Sequence, residues 1–149
     1  MDGVRSLLLV GGLLMCVAAH SSTLPGVENA ARAQVNYMLN CQGCHGADGV
    51  GTADGVVPVM KDFVGKFLSV SGGRAFLVRV PGSANAALSD LQLAEVLNWM
   101  LPNISPRQIP EDFKPYSAAE VAALRAQPLA DVEGERAKLV ALMQQDQSL

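Results

Sequence analysis

The run Cys41, Gln42, Gly43, Cys44, His45 restricts this chain more than any other feature. Two thiols three positions apart, followed at once by an imidazole, open a stretch in which glycines stand at 43, 46, 49, 51 and 55 and Pro58 follows. Glycine at that density excludes a long helix or a central strand, so the motif marks the place where a helix runs out into a loop. The remaining cysteine, Cys16, lies in a different kind of segment. Arg5 precedes an apolar run over residues 7–19, and Val17 and Ala19 offer small side chains just ahead of His20, the pattern of a secretory signal peptide over residues 1–19. The run is shorter than the roughly 20 residues a spanning helix needs, which makes an uncleaved anchor the weaker alternative. Met15 before Cys16 is too large for the usual lipoprotein cleavage site. Cleavage before His20 removes Cys16 and leaves Cys41 and Cys44 alone in an oxidising compartment, where a bridge across so short a loop staples almost nothing.

The chain has 149 residues, 50% of them hydrophobic and 17% charged, enough for one modest domain and some extra. Residues 27–40 carry apolar or small side chains at 27, 30, 31, 35, 38 and 39 with no internal Pro or Gly, which predicts a first helix. A short helix over 61–69 ends before Gly72. Residues 89–101 begin with Ser89 as N-cap and Asp90 in the first turn, repeat apolar residues at helical spacing, and are expected to stop before Pro102. Four prolines between 102 and 117 then predict an extended connector. Ser117 with Glu120 forms a capping-box pattern for a helix over 118–127, and 131–145 fits a last amphipathic helix. Alternating β-branched runs are scarce, so the expected fold is mostly α. Net charge is −3, unchanged by loss of residues 1–19, which hold one acid and one base. The charges are scattered, which argues against a nucleic-acid or anionic-membrane surface.

Three chemistries use cysteines at this spacing. A thioredoxin-like pair follows a strand and opens a helix in a βαβ unit, whereas this pair follows a helix. A structural zinc site needs four ligands, and after cleavage the chain offers Cys41, Cys44, His45 and near-terminal His20. Haem attachment accounts best for the run: both thiols add across haem vinyl groups, and the next residue, held beneath the macrocycle, gives its imidazole to iron.

With "CQGCHG", the loop "ADGVGTADGVVPVM" and the closing helix "LSDLQLAEVLNWML", the chain resembles the class I cytochromes c over residues 28–104. The resemblance implies helices around one covalently bound haem c, a haem domain over 20–104, and a helical C-terminal extension over 105–149. It implies that Tyr37 and Trp99 meet where the first and last helices cross, with Ala33 as the small residue there; plain core packing predicts the same burial. It makes Pro58 the carbonyl that orients His45, the proximal ligand, and packs Met100 against the haem. The sixth ligand departs from the family pattern, because Val80 stands ahead of Pro81 where a methionine is usual. Among the methionines Met60 is then the foremost distal candidate and Met100 the next, while Met38 precedes the motif on the wrong side; a lysine, an asparagine or water are the other occupants.

The implied function is an exported, periplasmic carrier of single electrons between an oxidoreductase and a respiratory acceptor. Its partner would be a dehydrogenase or an oxidase or reductase, with no nucleic acid, and no membrane after signal cleavage. No enzymatic acid, base or nucleophile is then required. A five-coordinate iron would instead suit a gas sensor or peroxidase-like protein, with Arg79 or Asn85 as distal polar groups. Arg79 otherwise suits a haem propionate. Residues 105–149 either wrap over the haem domain or dock a partner, as in the haem subunit of a periplasmic dehydrogenase complex.

Overall fold

Asn29 starts the first helix by accepting the Arg32 backbone N–H on its side chain, and α1 runs Ala30–Asn40. The computed structural model describes residues 24–146. The expected signal peptide, with Cys16 and His20, lies outside the described residues. Helix α1 begins three residues later than the apolar spacing predicts. Gly26 turns the chain at φ 73°, and the Glu28 N–H is taken by the Glu95 carboxylate instead of a helical partner. The buried face of α1, Ala33 and Tyr37, packs on α5, Asp90–Ile104.

Helix α5 carries most of the core. Ser89 and Gln92 complete a capping box at its start, and Leu93, Val96, Leu97, Met100, Leu101 and Ile104 are buried along it. The expected stop before Pro102 is corrected by the structure, because Pro102 lies inside the helix. A helix-interior proline costs about 3 kcal/mol through its missing N–H and its clash with the preceding turn. Here it falls in the last turn, where burial of Leu101 and Ile104 outweighs that cost, the Ser105 N–H still reaches the Leu101 carbonyl, and the Ile104 carbonyl accepts from Asp62. Two polar side chains of α5 lock the neighbouring chain segments. Buried Glu95 receives Arg32 in a bidentate pair, and buried Asn98 pairs with the Gly26 carbonyl and with both backbone groups of Tyr116.

From the cysteine motif to α5 the chain forms α2 (Gln42–His45), which holds Cys44 and His45, then a 3₁₀ turn (Val64–Ser69), α3 (Gly73–Arg79) and the single turn α4 (Pro81–Ala84). The sequence pattern predicts no element between Gly72 and Ser89. Helix α3 is too short to show a period, and tertiary burial of Phe76, Leu77 and Val78 sustains it. Its first residue must be glycine, since a Cβ on Gly73 would lie 2.0 Å from the Phe67 carbonyl oxygen.

After the proline-rich connector come α6 (Ala118–Arg125) and α7 (Val132–Asp146). Ser117 caps α6 through the Glu120 N–H, but the Glu120 carboxylate, which a capping box would turn back, goes to Arg74 on α3. Val121, Leu139 and Met143 are buried in the same core as α3 and α5, so the C-terminal helices lie against the body. Among the described residues there is no strand. No helix among them is long and apolar enough to cross a membrane.

Candidate functional site

The last turn of α1 delivers the motif. The Cys41 N–H donates to the Tyr37 carbonyl at 2.8 Å, and the Cys41 carbonyl accepts the N–H groups of Cys44 and His45 at 3.2 and 3.0 Å. The thiols and the imidazole are thus folded into one helical turn. Tyr37 then reaches over it, its hydroxyl donating to the Gly46 carbonyl at 2.9 Å and tying the residue after His45 to α1. Beyond that point the loop doubles back so closely that a Cβ on Gly51, at φ 70°, would sit 2.3 Å from the Val57 carbonyl oxygen. This close approach brings Pro58 beside His45.

Tyr37, Cys41, His45 and Pro58 line one mainly apolar cavity of about 240 Å³, together with Met60, Val80 and Met100. His45 Nδ1 is buried and makes no hydrogen bond of good geometry. Burial lowers the imidazole pKa, and the neighbouring Pro58 backbone offsets this in part. Burial, with a smaller contribution from Cys44, pushes the Cys41 thiol up to about 11. Burial likewise pushes the Tyr37 phenol up to about 12, so it remains a donor to Gly46 at neutral pH.

The other residues singled out from the sequence fall in several places. Cys44 is exposed next to the cavity-lining turn. Trp99 does not line the cavity; its ring packs on Tyr37 with centroids 5.5 Å apart, an arrangement worth about 0.5–1.5 kcal/mol beyond its area. The Met60 backbone is held on the loop that follows His45, where the N–H groups of Met60 and Lys61 both donate to the Gly49 carbonyl at 2.7 and 3.0 Å. Met38 is half exposed and does not line the cavity. Arg79 donates through Nε to the Gln127 carbonyl, and neither it nor Asn85 lines the cavity.

Two wall residues, Val132 and Arg136, come from α7. Arg136 lies over the Phe63 ring at 5.7 Å and has no ion pair among the described residues. No motif marks either residue; they reach the site only because α7 folds back onto it. Among the described residues, no three His, Cys, Asp or Glu side chains converge as a metal-binding group. The features present fit a haem: a thiol at the rim of an apolar cavity, a second at the surface one turn on, and an imidazole with one nitrogen buried beside a backbone carbonyl.

Comparison with known proteins agrees. One cytochrome c-552 of Thermus thermophilus is 33% identical over 136 residues, covering 78% of this chain and 91% of that protein. Another cytochrome c-552 of Thermus thermophilus is 33% identical over 119 residues, covering 66% of this chain and 90% of its own length. No family model matches the chain, and no solved structure matches it. The chain belongs to the c-type cytochromes. A match over 78% of 149 residues cannot end with α5, so the similarity runs into the C-terminal segment, past the limit at residue 104 drawn from the motifs.

Proposed function

We propose that this chain is an exported, single-haem cytochrome of class I that carries one electron at a time between an oxidoreductase and a respiratory acceptor. The observation that carries the proposal is the convergence of Cys41, His45 and Pro58 on one apolar cavity, with His45 Nδ1 buried beside Pro58. In this proposal Cys41 and Cys44 hold haem c as thioethers, and His45 serves as proximal ligand through Nε2. The bound haem supplies a one-electron Fe(III)/Fe(II) couple. Pro58 supplies the carbonyl that orients the imidazole, and the Tyr37 hydroxyl fixes the backbone behind it. Leu97, Met100 and Phe76 exclude water, so a change of charge in the cavity is felt strongly. Arg136 is the cationic side chain on the wall and suits a haem carboxylate. Exposed Cys44 leaves the attachment edge open to a partner dehydrogenase, oxidase or reductase. In the proposed organisation residues 20–104 form the haem domain and 105–149 its extension, with the mature protein in the periplasm. Met60 is proposed as distal ligand.

A second reading is favoured by Val80, which lines the cavity without any group that can bind iron. An iron open on that side would bind small gases or peroxide. The visible spectrum of the holoprotein, oxidised, reduced, and reduced under carbon monoxide, separates the two. A low-spin spectrum untouched by carbon monoxide, with a weak red methionine–iron band that Met60→Ala abolishes, is the expected result for the carrier. A high-spin spectrum that shifts promptly under carbon monoxide would establish the open iron.

A further inference from the structure

The cavity wall that carries Val80, Gly82 and Ser83 has little support of its own. Helix α4 is a single turn, and residues 85–88 that follow it have no regular structure. The Asn85 and Ala86 N–H groups return to the Pro81 and Ser83 carbonyls and Leu88 is buried, while the carbonyls of this stretch go to one side chain on the C-terminal segment. Arg125, at the end of α6, donates Nε to the Ala84 carbonyl at 3.0 Å, Nη2 to the Ala86 carbonyl at 2.8 Å, and Nη1 to both the Leu88 carbonyl at 2.8 Å and Asp90 Oδ1 at 3.0 Å. Four acceptors drawn from one short stretch converge on a guanidinium whose side chain is only 18% exposed. The planar fork of Arg suits such a set of carbonyls, and the single ammonium of Lys does not. At the other end of the wall Arg79 is bound to the Gln127 carbonyl, two residues beyond Arg125.

We infer that Arg125 is a positioning residue of the haem site: through the carbonyls of Ala84, Ala86 and Leu88 it holds the wall of Val80, Gly82 and Ser83 closed over the cavity and limits the access of small ligands to the iron. The inference rests on the haem reading above. Without Arg125 the three carbonyls lose their shared donor and turn to water, and in this inference the loop moves outward to meet it, so the loss is felt as local opening of the wall more than as global unfolding.

The test measures the rate of amide hydrogen exchange over residues 83–90, with carbon monoxide uptake by the reduced holoprotein beside it, in wild type, Arg125→Ala, Arg125→Lys and Arg32→Ala. Arg32→Ala breaks the Glu95 pair between α1 and α5 and leaves the wall alone. Arg125→Ala is expected to speed amide exchange across the loop about tenfold, and to take up carbon monoxide where wild type excludes it or faster where wild type binds it, the scale of losing a few hydrogen bonds from a local closing equilibrium. Arg125→Lys is expected to fall between it and wild type, and Arg32→Ala to lower the melting temperature with the rate unchanged. A rate in Arg125→Ala within about twofold of wild type, or an equal rise in Arg32→Ala, overturns the inference. Should Arg125→Ala fail to hold haem, Arg125→Lys decides by the same rate. A wild-type chain without covalent haem would instead sink the functional proposal itself, so the two failures are distinct.

Discussion

The turn that carries Cys41, Cys44 and His45 takes its order from residues near it in the chain, the Tyr37 hydroxyl nine positions from Gly46 and the Pro58 backbone beside His45. The loop that follows the wall of Val80, Gly82 and Ser83 hands its carbonyls and Asp90 to Arg125, 35 to 41 positions away. The turn and the wall line the same cavity. The difference explains why one can be read off five consecutive residues and the other cannot. A local motif needs only a helix end and glycines that permit the turn, whereas a wall without periodicity needs a distant donor to satisfy its carbonyls.

The largest effect is expected on the local side. Replacing Cys41 and Cys44 together by alanine should abolish covalent haem, seen as the loss of haem colour from the denatured polypeptide; haem that still migrates with the denatured chain would refute the attachment role. Next, on the distant side, deleting residues 106–149 removes Tyr116, Val121, Leu139 and Met143 from the core. Each buried apolar side chain contributes about 1.5–3 kcal/mol, so their sum consumes most of the stability of about 5–15 kcal/mol typical of a domain. The truncated protein is expected to melt far below the full chain or not to fold, and an unchanged melting temperature would show that the C-terminal segment does not support the body.

A sharper version of that experiment is Leu139→Ala, which empties one buried site on α7 and should cost about 2–5 kcal/mol by chemical denaturation. A loss near zero would mean that α7 is not seated on the core. Tyr37→Phe removes only the hydroxyl that reaches Gly46 and should cost about 1 kcal/mol with haem content intact. The smallest effect concerns Glu120. Its hydrogen bond to Arg74 holds the carboxyl below the ordinary value of 4.5, and burial opposes this only in part. A depressed carboxylate adds stability that is present above the ordinary value and is lost as the pH falls through the folded value. Both side chains are about a third exposed, so the contribution is under ~1 kcal/mol. Glu120→Gln should therefore melt slightly below wild type at neutral pH and converge with it as the pH drops below 4.5; a gap that widens in acid would reverse the assigned sign.

Much of the helical plan was legible. Ser89 and Ser117 cap the helices expected from them, and the rings of Tyr37 and Trp99 stand 5.5 Å apart at the α1–α5 crossing. Pro102 was misleading because a weak local penalty competes with burial of two large side chains, and no sequence rule weighs the second. Helix α3 was silent because seven residues are too few to display a period. At the site, the cavity-facing motif residues were legible from spacing, while Val132, Arg136 and the fork of Arg125 were not, since nothing in a basic residue on a surface helix announces its target.

By itself the sequence determined the place of the motif at a helix end, the longer helices and the loop that must bend where its glycines allow, because these depend on neighbours along the chain. Only the tertiary structure decided that α7 adds Val132 and Arg136 to the cavity, that Pro102 stays helical, and that Arg125 takes the carbonyls of Ala84, Ala86 and Leu88. Those outcomes depend on which buried surfaces and unsatisfied carbonyls meet, and distances along the chain do not encode such meetings.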